Sequence, residues 1–264
     1  MIRHIFHRDG LALIWQDSGG NGLPVVFQHG LCGDAGQTFG MFPDAAYRLI
    51  TLECRGHGGS EFGTPSIAIF ADDLVALIES LALGPVVLGG ISMGAAIAAR
   101  IAVLRPDLVR ALVMVRPAWG VAPAPENLQR NLEVGGFLAQ FSAEQALAKF
   151  QQGATFQALK TGSPDNLASL IGFFSRHPKA VTAALLTTIS ADGPGITAAQ
   201  LAGLTCPALI CGTEADVIHP LALAEQLAGL IPNAQFVRLA SKGTSKAAHI
   251  ADFQAAFAAL LKEL

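Results

Sequence analysis

The chain has 264 residues, of which 52% are hydrophobic and 14% charged, and its formal net charge is -3. The length suits one large α/β domain or one domain with an inserted subdomain, and the hydrophobic fraction predicts a large core and excludes a disordered chain. The chain has no basic cluster that would bind a phosphate backbone, so we expect no nucleic-acid partner.

The cysteines and the N-terminus bear on metal binding and location. The four cysteines form no CxxC pair and have no zinc-finger spacing with histidine, which favours reduced, buried thiols and no metal site. His7, Arg8 and Asp9 interrupt any apolar signal core, and no uninterrupted apolar run reaches about 18 residues. We therefore expect a cytoplasmic protein that does not associate with a membrane.

Short apolar and β-branched runs predict strands along the chain. Residues 2–17 predict two strands joined by a turn at Asp9-Gly10. The later runs are typical of strands buried on both faces of a mostly parallel sheet. These runs are residues 24–28, 49–52, 86–88, 111–115, 208–211 and 235–239.

Segments with helical periodicity lie between the predicted strands. They are residues 67–83, 95–104, 221–230 and 250–264. Because strand and helix alternate, we predict an α/β fold with a mostly parallel central sheet and helices on both faces. Residues 117–200 have helical segments without a convincing strand, so they predict a helical insertion into a core of residues 1–116 and 201–264.

The strongest motif is Gly90-Ile91-Ser92-Met93-Gly94, between a predicted strand and a predicted helix. A serine at this position sits on a tight turn, where flanking glycines remove steric conflict. The turn presents the hydroxyl at the carboxyl end of the sheet, with helix amides directed toward it. This context makes Ser92 a candidate nucleophile.

With His29-Gly30 after an earlier strand, this arrangement resembles the α/β-hydrolase family of serine hydrolases, including its esterase and enol-lactonase-like members. The resemblance extends over nearly the whole chain outside the insertion, and it implies that residues 117–200 form a helical cap over the active site. That family has its triad in the order serine, acid, histidine. Asp216 matches the family's Gly-x-x-x-Asp spacing and is implied as the acid, with Glu214 as the alternative.

The resemblance implies His249 as the general base among seven histidines. His249 follows the last predicted strand and precedes the predicted C-terminal helix, although Ala248 stands where the family often has glycine. His219, only three residues from Asp216, is interpreted as a loop residue. His29 and His57 lie in segments similar to structural loops of the family.

The resemblance also implies an oxyanion hole formed by the backbone amides of Leu31 and Met93. No dinucleotide fingerprint or metal cluster predicts a cofactor. We expect hydrolysis of a small carboxylic ester or lactone through an acyl-enzyme. C–C bond hydrolysis, cofactor-free haloperoxidase-like chemistry and a non-catalytic small-ligand receptor are alternatives.

The charge of the insertion suggests a substrate preference. Residues 117–200 carry five basic and five acidic side chains, so they offer no basic cluster for a highly anionic substrate. They also carry seven aromatic side chains, a few of which should face the ligand, so they predict a neutral substrate with a compact apolar acyl part. Arg116 or Arg176 reaching the pocket would reverse this preference by pairing with a carboxylate.

Overall fold

The computed structural model describes residues 1–42 and 47–264, in which eight strands form one sheet. The strands are β1 (Ile2–Arg8), β2 (Leu11–Asp17), β3 (Leu23–Gln28), β4 (Tyr47–Leu52), β5 (Val86–Ile91), β6 (Val109–Val115), β7 (Ala208–Thr213) and β8 (Ala234–Leu239). Their order across the sheet is β1-β2-β4-β3-β5-β6-β7-β8. β2 pairs antiparallel with β1 and β4, and the ladders from β4 to β8 are parallel. The predicted mostly parallel sheet is confirmed.

The described helices follow the predicted alternation. They are α1 (Ala35–Phe39), α2 (Ile67–Ser80), α3 (Met93–Leu104), α4 (Gln129–Gln140), α5 (Ala143–Gln152), α6 (Ala154–Gly162), α7 (Pro164–Gly172), α8 (Lys179–Ala191), α9 (Ala198–Ala202), α10 (Leu221–Leu230) and α11 (Lys246–Lys262). Within residues 1–42 and 47–264, no helix combines the length and apolarity that crossing a membrane requires.

Helix α11 begins four residues earlier than the sequence predicts. The Ser245 hydroxyl accepts a hydrogen bond from the Ala248 amide and caps the helix, so the first turn forms ahead of Ile250. His249 therefore lies inside the first turns of α11, and the prediction that it precedes the helix is wrong.

Two apolar clusters cover the two faces of the sheet. Because successive side chains of a strand point to opposite faces, Val26 and Leu88 pack in one cluster with residues of α2, α3 and α10. Val25 and Val87 pack in the other cluster with residues of α11. Both faces are buried, which explains why the central strands are continuous apolar runs rather than alternating ones.

Helices α4 to α8 lie between β6 and β7 in the chain and enclose a third apolar cluster, which includes the fully buried Phe150. Leu31 and Cys32, in the loop after β3, pack against this cluster. The contact places these helices next to the carboxyl ends of the parallel strands. Their assignment to a separate cap subdomain stays a prediction.

Candidate active site

Ser92 lies on the turn between β5 and α3 with φ 56° and ψ -110°. A positive φ is uncommon outside glycine, and such strain persists only where the surroundings hold it. A Cβ atom at Gly90 would overlap the backbone of Gly94, and one at Gly94 would overlap the backbone of Gln28 in β3. The two glycines are therefore required by close backbone approach, and the turn they permit fixes the position of Ser92.

Ser92 lines a cavity of about 220 Å³, which we call the serine cavity. Its walls come from several segments that are distant in sequence. Leu31 follows β3, Arg116 follows β6, Asn166 lies in α7, and His219 lies in the loop after β7. The fold thus brings residues that are distant in sequence to the edge of the sheet where the parallel strands end.

The amides of Leu31 and Met93 are free in the part of the chain that the structure describes, since neither donates a hydrogen bond to a protein acceptor. Met93 is the first residue of α3, and the first amides of a helix have no partner within the helix. The Gly30 amide donates to Gln37 Oε1 at 2.7 Å and holds the loop that contains Leu31. The role of these amides as an oxyanion hole stays a prediction.

Asp216 lies in the loop after β7, where it is buried and accepts hydrogen bonds from several elements. Arg116 donates to Oδ2 through Nε at 2.8 Å and Nη2 at 2.5 Å, and Asn166 donates to Oδ1 at 3.0 Å. The amides of Ile218 and His219 also donate to Oδ1. Burial alone would raise the pKa of Asp216, but His219 and Arg116 outweigh it and hold the pKa well below its ordinary value. The carboxylate is therefore ionised at neutral pH.

His219 is paired with this carboxylate. Its Nδ1 lies 2.9 Å from Oδ2 and 3.0 Å from Oδ1 of Asp216. Because an ionised carboxylate only accepts, we assign the proton to Nδ1, which leaves Nε2 as an acceptor. Burial lowers the pKa of His219 and the charge of Asp216 only partly opposes this, so the ring is neutral at pH 7. This is the tautomer that a general base requires.

His249 faces a neighbouring cavity of about 270 Å³, which we call the basic cavity. Its Nδ1 donates to the Ala240 carbonyl at 2.9 Å. Across the described residues, no hydrogen bond joins His249 to Ser92 or Asp216. Ser92 and His219 thus line the same cavity, His219 is bonded to Asp216, and His249 lines the adjoining cavity. The assignment of His249 as the base stays a prediction.

The pairing of His219 with Asp216 was missed by the sequence reasoning, although their three-residue spacing was a signal for it. Glu214, the alternative acid, is exposed and pairs with Arg238 at 2.7 Å. His29 bonds to the Gly30 carbonyl through Nδ1 and accepts from the Cys54 amide, so both of its ring nitrogens are used.

Neither Cys32 nor a metal cluster offers an alternative source of chemistry in the described residues. Burial raises the pKa of the Cys32 thiol to about 12, which leaves it protonated and a poor nucleophile. In residues 1–42 and 47–264, no group of three or more histidine, cysteine or acidic side chains could hold a metal ion.

Comparison with known proteins agrees with this architecture. Residues 24–245 match the model of a family described as having the alpha/beta hydrolase fold. A protein named as a non-heme bromoperoxidase, BpoC, from Mycobacterium tuberculosis is 28% identical over 86% of this chain and 88% of its own. A pimeloyl-[acyl-carrier protein] methyl ester esterase from Aromatoleum aromaticum is 30% identical over 74% of this chain and 79% of its own. The structure of a thermophilic esterase from Thermogutta terrifontis superimposes with a TM-score of 0.75, at 23% identity, over 100% of this chain and 99% of its own. The chain belongs to the α/β-hydrolase family.

Proposed function

We propose that this protein hydrolyses a small carboxylic ester or lactone through an acyl-enzyme formed on Ser92. The observation that carries the proposal is the placement of Ser92, on a strained turn, in the same cavity as the His219 ring that is bonded to Asp216. The relative named as a methyl ester esterase supports an ester as the substrate. A hydrolase of this kind needs no cofactor.

The reaction follows from the arrangement of these groups. Ser92 Oγ attacks the substrate carbonyl while His219 Nε2 accepts its proton. Asp216 remains ionised, holds the Nδ1 proton and stabilises the imidazolium. The imidazolium then gives its proton to the leaving alcohol oxygen, and a water activated by the same ring releases the acid product.

Negative charge develops on the carbonyl oxygen during each attack. In this proposal the Leu31 and Met93 amides donate to that oxygen, and each such donor typically contributes about 3–4 kcal/mol to the stability of the transition state. These amides are pre-positioned because the Gln37 side chain holds the first loop and α3 begins at Met93.

The choice of base rests on the partner of each imidazole. His219 has an ionised carboxylate on Nδ1, which stabilises the charged ring formed when it accepts a proton. His249 has only a backbone carbonyl there. The competing proposal keeps His249 as the base with Asp216 as the acid, and it requires the His249 ring to leave Ala240 and approach Ser92.

Substitutions of single residues test the proposal with 4-nitrophenyl esters as substrates. Ser92→Ala should lower kcat by at least about 10³-fold and abolish labelling by an organophosphonate, with the fold retained by circular dichroism. Residual activity within about tenfold of wild type contradicts the assignment of Ser92.

Histidine variants decide between the two bases. His219→Ala should lower kcat by about 10³-fold or more, whereas His249→Ala should cost less than about tenfold. His177→Ala is the matched control, because His177 is exposed on the helical layer. The reverse order of effects assigns the base to His249 and keeps Ser92 as the nucleophile.

The relative named as a bromoperoxidase supports a second candidate, cofactor-free haloperoxidase-like chemistry at the same serine. Bromination with bromide and hydrogen peroxide at a rate above ester turnover would favour it. C–C bond hydrolysis is tested with diketo acids, and turnover limited to one equivalent per chain would favour a receptor.

A further inference from the structure

The basic cavity adjoins the serine cavity. Gln37, Ile91, Arg116 and Lys242 line both, so the two spaces are adjacent. Their volumes of about 220 and 270 Å³ each lie below the roughly 300 Å³ at which ligand pockets begin. A small substrate that occupies both cavities would place one end at Ser92 and the other in the basic cavity.

The residues that line both cavities offer unused hydrogen-bond donors. Arg116 uses Nε and Nη2 on Asp216, and its Nη1 has no hydrogen-bond partner among the described residues. Gln37 uses its Oε1 to accept from the Gly30 amide, and for residues 1–42 and 47–264 its Nε2 likewise has no partner. Both side chains are therefore able to donate to an acceptor on a ligand.

Two lysines add positive charge. The Lys242 ammonium contacts the two Asp165 oxygens at 3.1 and 3.2 Å, and it has three donors in total. Lys246, on the first turn of α11, lines the basic cavity and forms no ion pair within the described parts of the chain. It is exposed, so its charge is available at the mouth of the cavity.

No carboxylate lines the basic cavity, as far as the described residues extend. Asp216 and Asp165 balance the charges of Arg116 and Lys242, but neither of these acids is part of the lining. Lys246 remains unbalanced, and the other lining side chains are apolar or amide groups, together with His249. This wall favours an anionic group, since bonds from ionised donors to a carboxylate are stronger than neutral ones.

We propose that the basic cavity binds a carboxylate, so that the preferred ester or lactone carries a second carboxyl group on a short aliphatic arm. The proposal rests on the proposed function, in which Ser92 attacks the ester carbonyl. It reverses the preference for neutral substrates predicted from the insertion. That prediction counted the charges of residues 117–200, whereas the cations of this cavity come from the end of β6 and from the segment around the start of α11.

A pair of matched esters tests the substrate class. The 4-nitrophenyl hemiester of glutaric acid should have a kcat/KM at least about tenfold above that of 4-nitrophenyl pentanoate. Lys246→Gln should lower the ratio of these two values about threefold to fivefold, the effect expected for an exposed charge. Lys262→Gln, at the other end of α11, is the matched control and should leave the ratio unchanged. A ratio near one in the wild type, unaffected by Lys246→Gln, overturns the proposal.

A binding measurement separates the subsite from catalysis. Calorimetry on Ser92→Ala should detect glutarate, with an affinity reduced by adding Lys246→Gln and by raising the salt concentration. Pentanoate should bind at least about tenfold more weakly. If glutarate binds in this way and no ester is hydrolysed by the wild type, the proposed function fails and the subsite stands. If neutral esters are hydrolysed and glutarate does not bind, the subsite is wrong and the proposed function stands.

Discussion

Replacing Asp216 with asparagine keeps the size of the side chain and removes its charge. Arg116 is 9% exposed and Asp216 is 8% exposed, so the substitution leaves a guanidinium largely buried without its counter-ion. Breaking a buried ion pair from one side costs about 3–5 kcal/mol. We therefore expect Asp216→Asn to lower the free energy of unfolding by about 3–5 kcal/mol.

The same substitution acts on the tautomer of His219. An asparagine that presents its amide nitrogen to Nδ1 favours the ring with the proton on Nε2, which cannot accept a proton from Ser92. In serine proteases the equivalent change lowers kcat by about 10⁴. We expect a loss of this order, beyond any loss caused by partial unfolding.

Chemical denaturation and steady-state kinetics measure the two effects. Asp165→Asn is the control for stability, because the Lys242–Asp165 pair is more exposed and such pairs contribute less than about 1 kcal/mol. An Asp216→Asn variant that loses less than about 1 kcal/mol and keeps kcat within tenfold of wild type refutes the reasoning about both the buried pair and the tautomer.

The pH dependence of stability gives an independent check on Asp216. The pKa of Asp216 is lowered on folding, so its contribution is complete above the unfolded pKa of about 3.9 and is lost as the pH falls below that value. Wild-type stability should therefore decline more steeply below about pH 4 than that of Asp216→Asn. Parallel declines would mean that the carboxylate is not stabilised by folding.

Three further predictions concern the base, the turn and the helical layer. Burial lowers the pKa of His219, so kcat/KM should be constant above about pH 6.5 and fall only at lower pH. A pH profile of kcat/KM with its midpoint above about pH 7 contradicts this prediction. Gly94→Ala should lower Tm, because the added Cβ would overlap the backbone of Gln28. Gly136→Ala in α4 is the control, since a Cβ there meets nothing within 4 Å, and it should raise the free energy of unfolding by about 0.5–1 kcal/mol. Phe150→Ala should lower the free energy of unfolding, measured by urea denaturation, by about 3–5 kcal/mol, because Phe150 is fully buried in its apolar cluster. A loss below about 1 kcal/mol would show that the cluster collapses around the gap.

The strands and the serine turn were predictable because their signals are local. A buried parallel strand is a short continuous apolar run, and the turn at Ser92 requires glycines at fixed offsets. The start of α11 was harder, since it depends on whether Ser245 caps the helix one turn earlier than the apolar period suggests. Because Ser245 does cap the helix, His249 lies in α11 and not in the loop before it.

The composition of the site was less predictable because its contacts join distant segments. Asn166 donates to Asp216 from a helix 50 residues earlier in the chain, and Arg116 does so from 100 residues earlier. No pattern within either segment indicates that these side chains meet. The pairing of His219 with Asp216 is local in sequence, but its importance appears only once Ser92 lines the same cavity.

Arg116 connects the proposed chemistry to the proposed specificity. Two of its guanidinium nitrogens bind Asp216, so they fix the carboxylate that orients His219 and help to keep it ionised. The charge of this pair is balanced, and the third nitrogen remains able to donate toward a ligand. A substrate carboxylate bound there would approach a site whose own buried charges already cancel, with Lys246 supplying the excess positive charge at the cavity mouth. The same residue can thus hold the acid of the proposed triad and position the proposed substrate, because a planar guanidinium bonds in two directions at once.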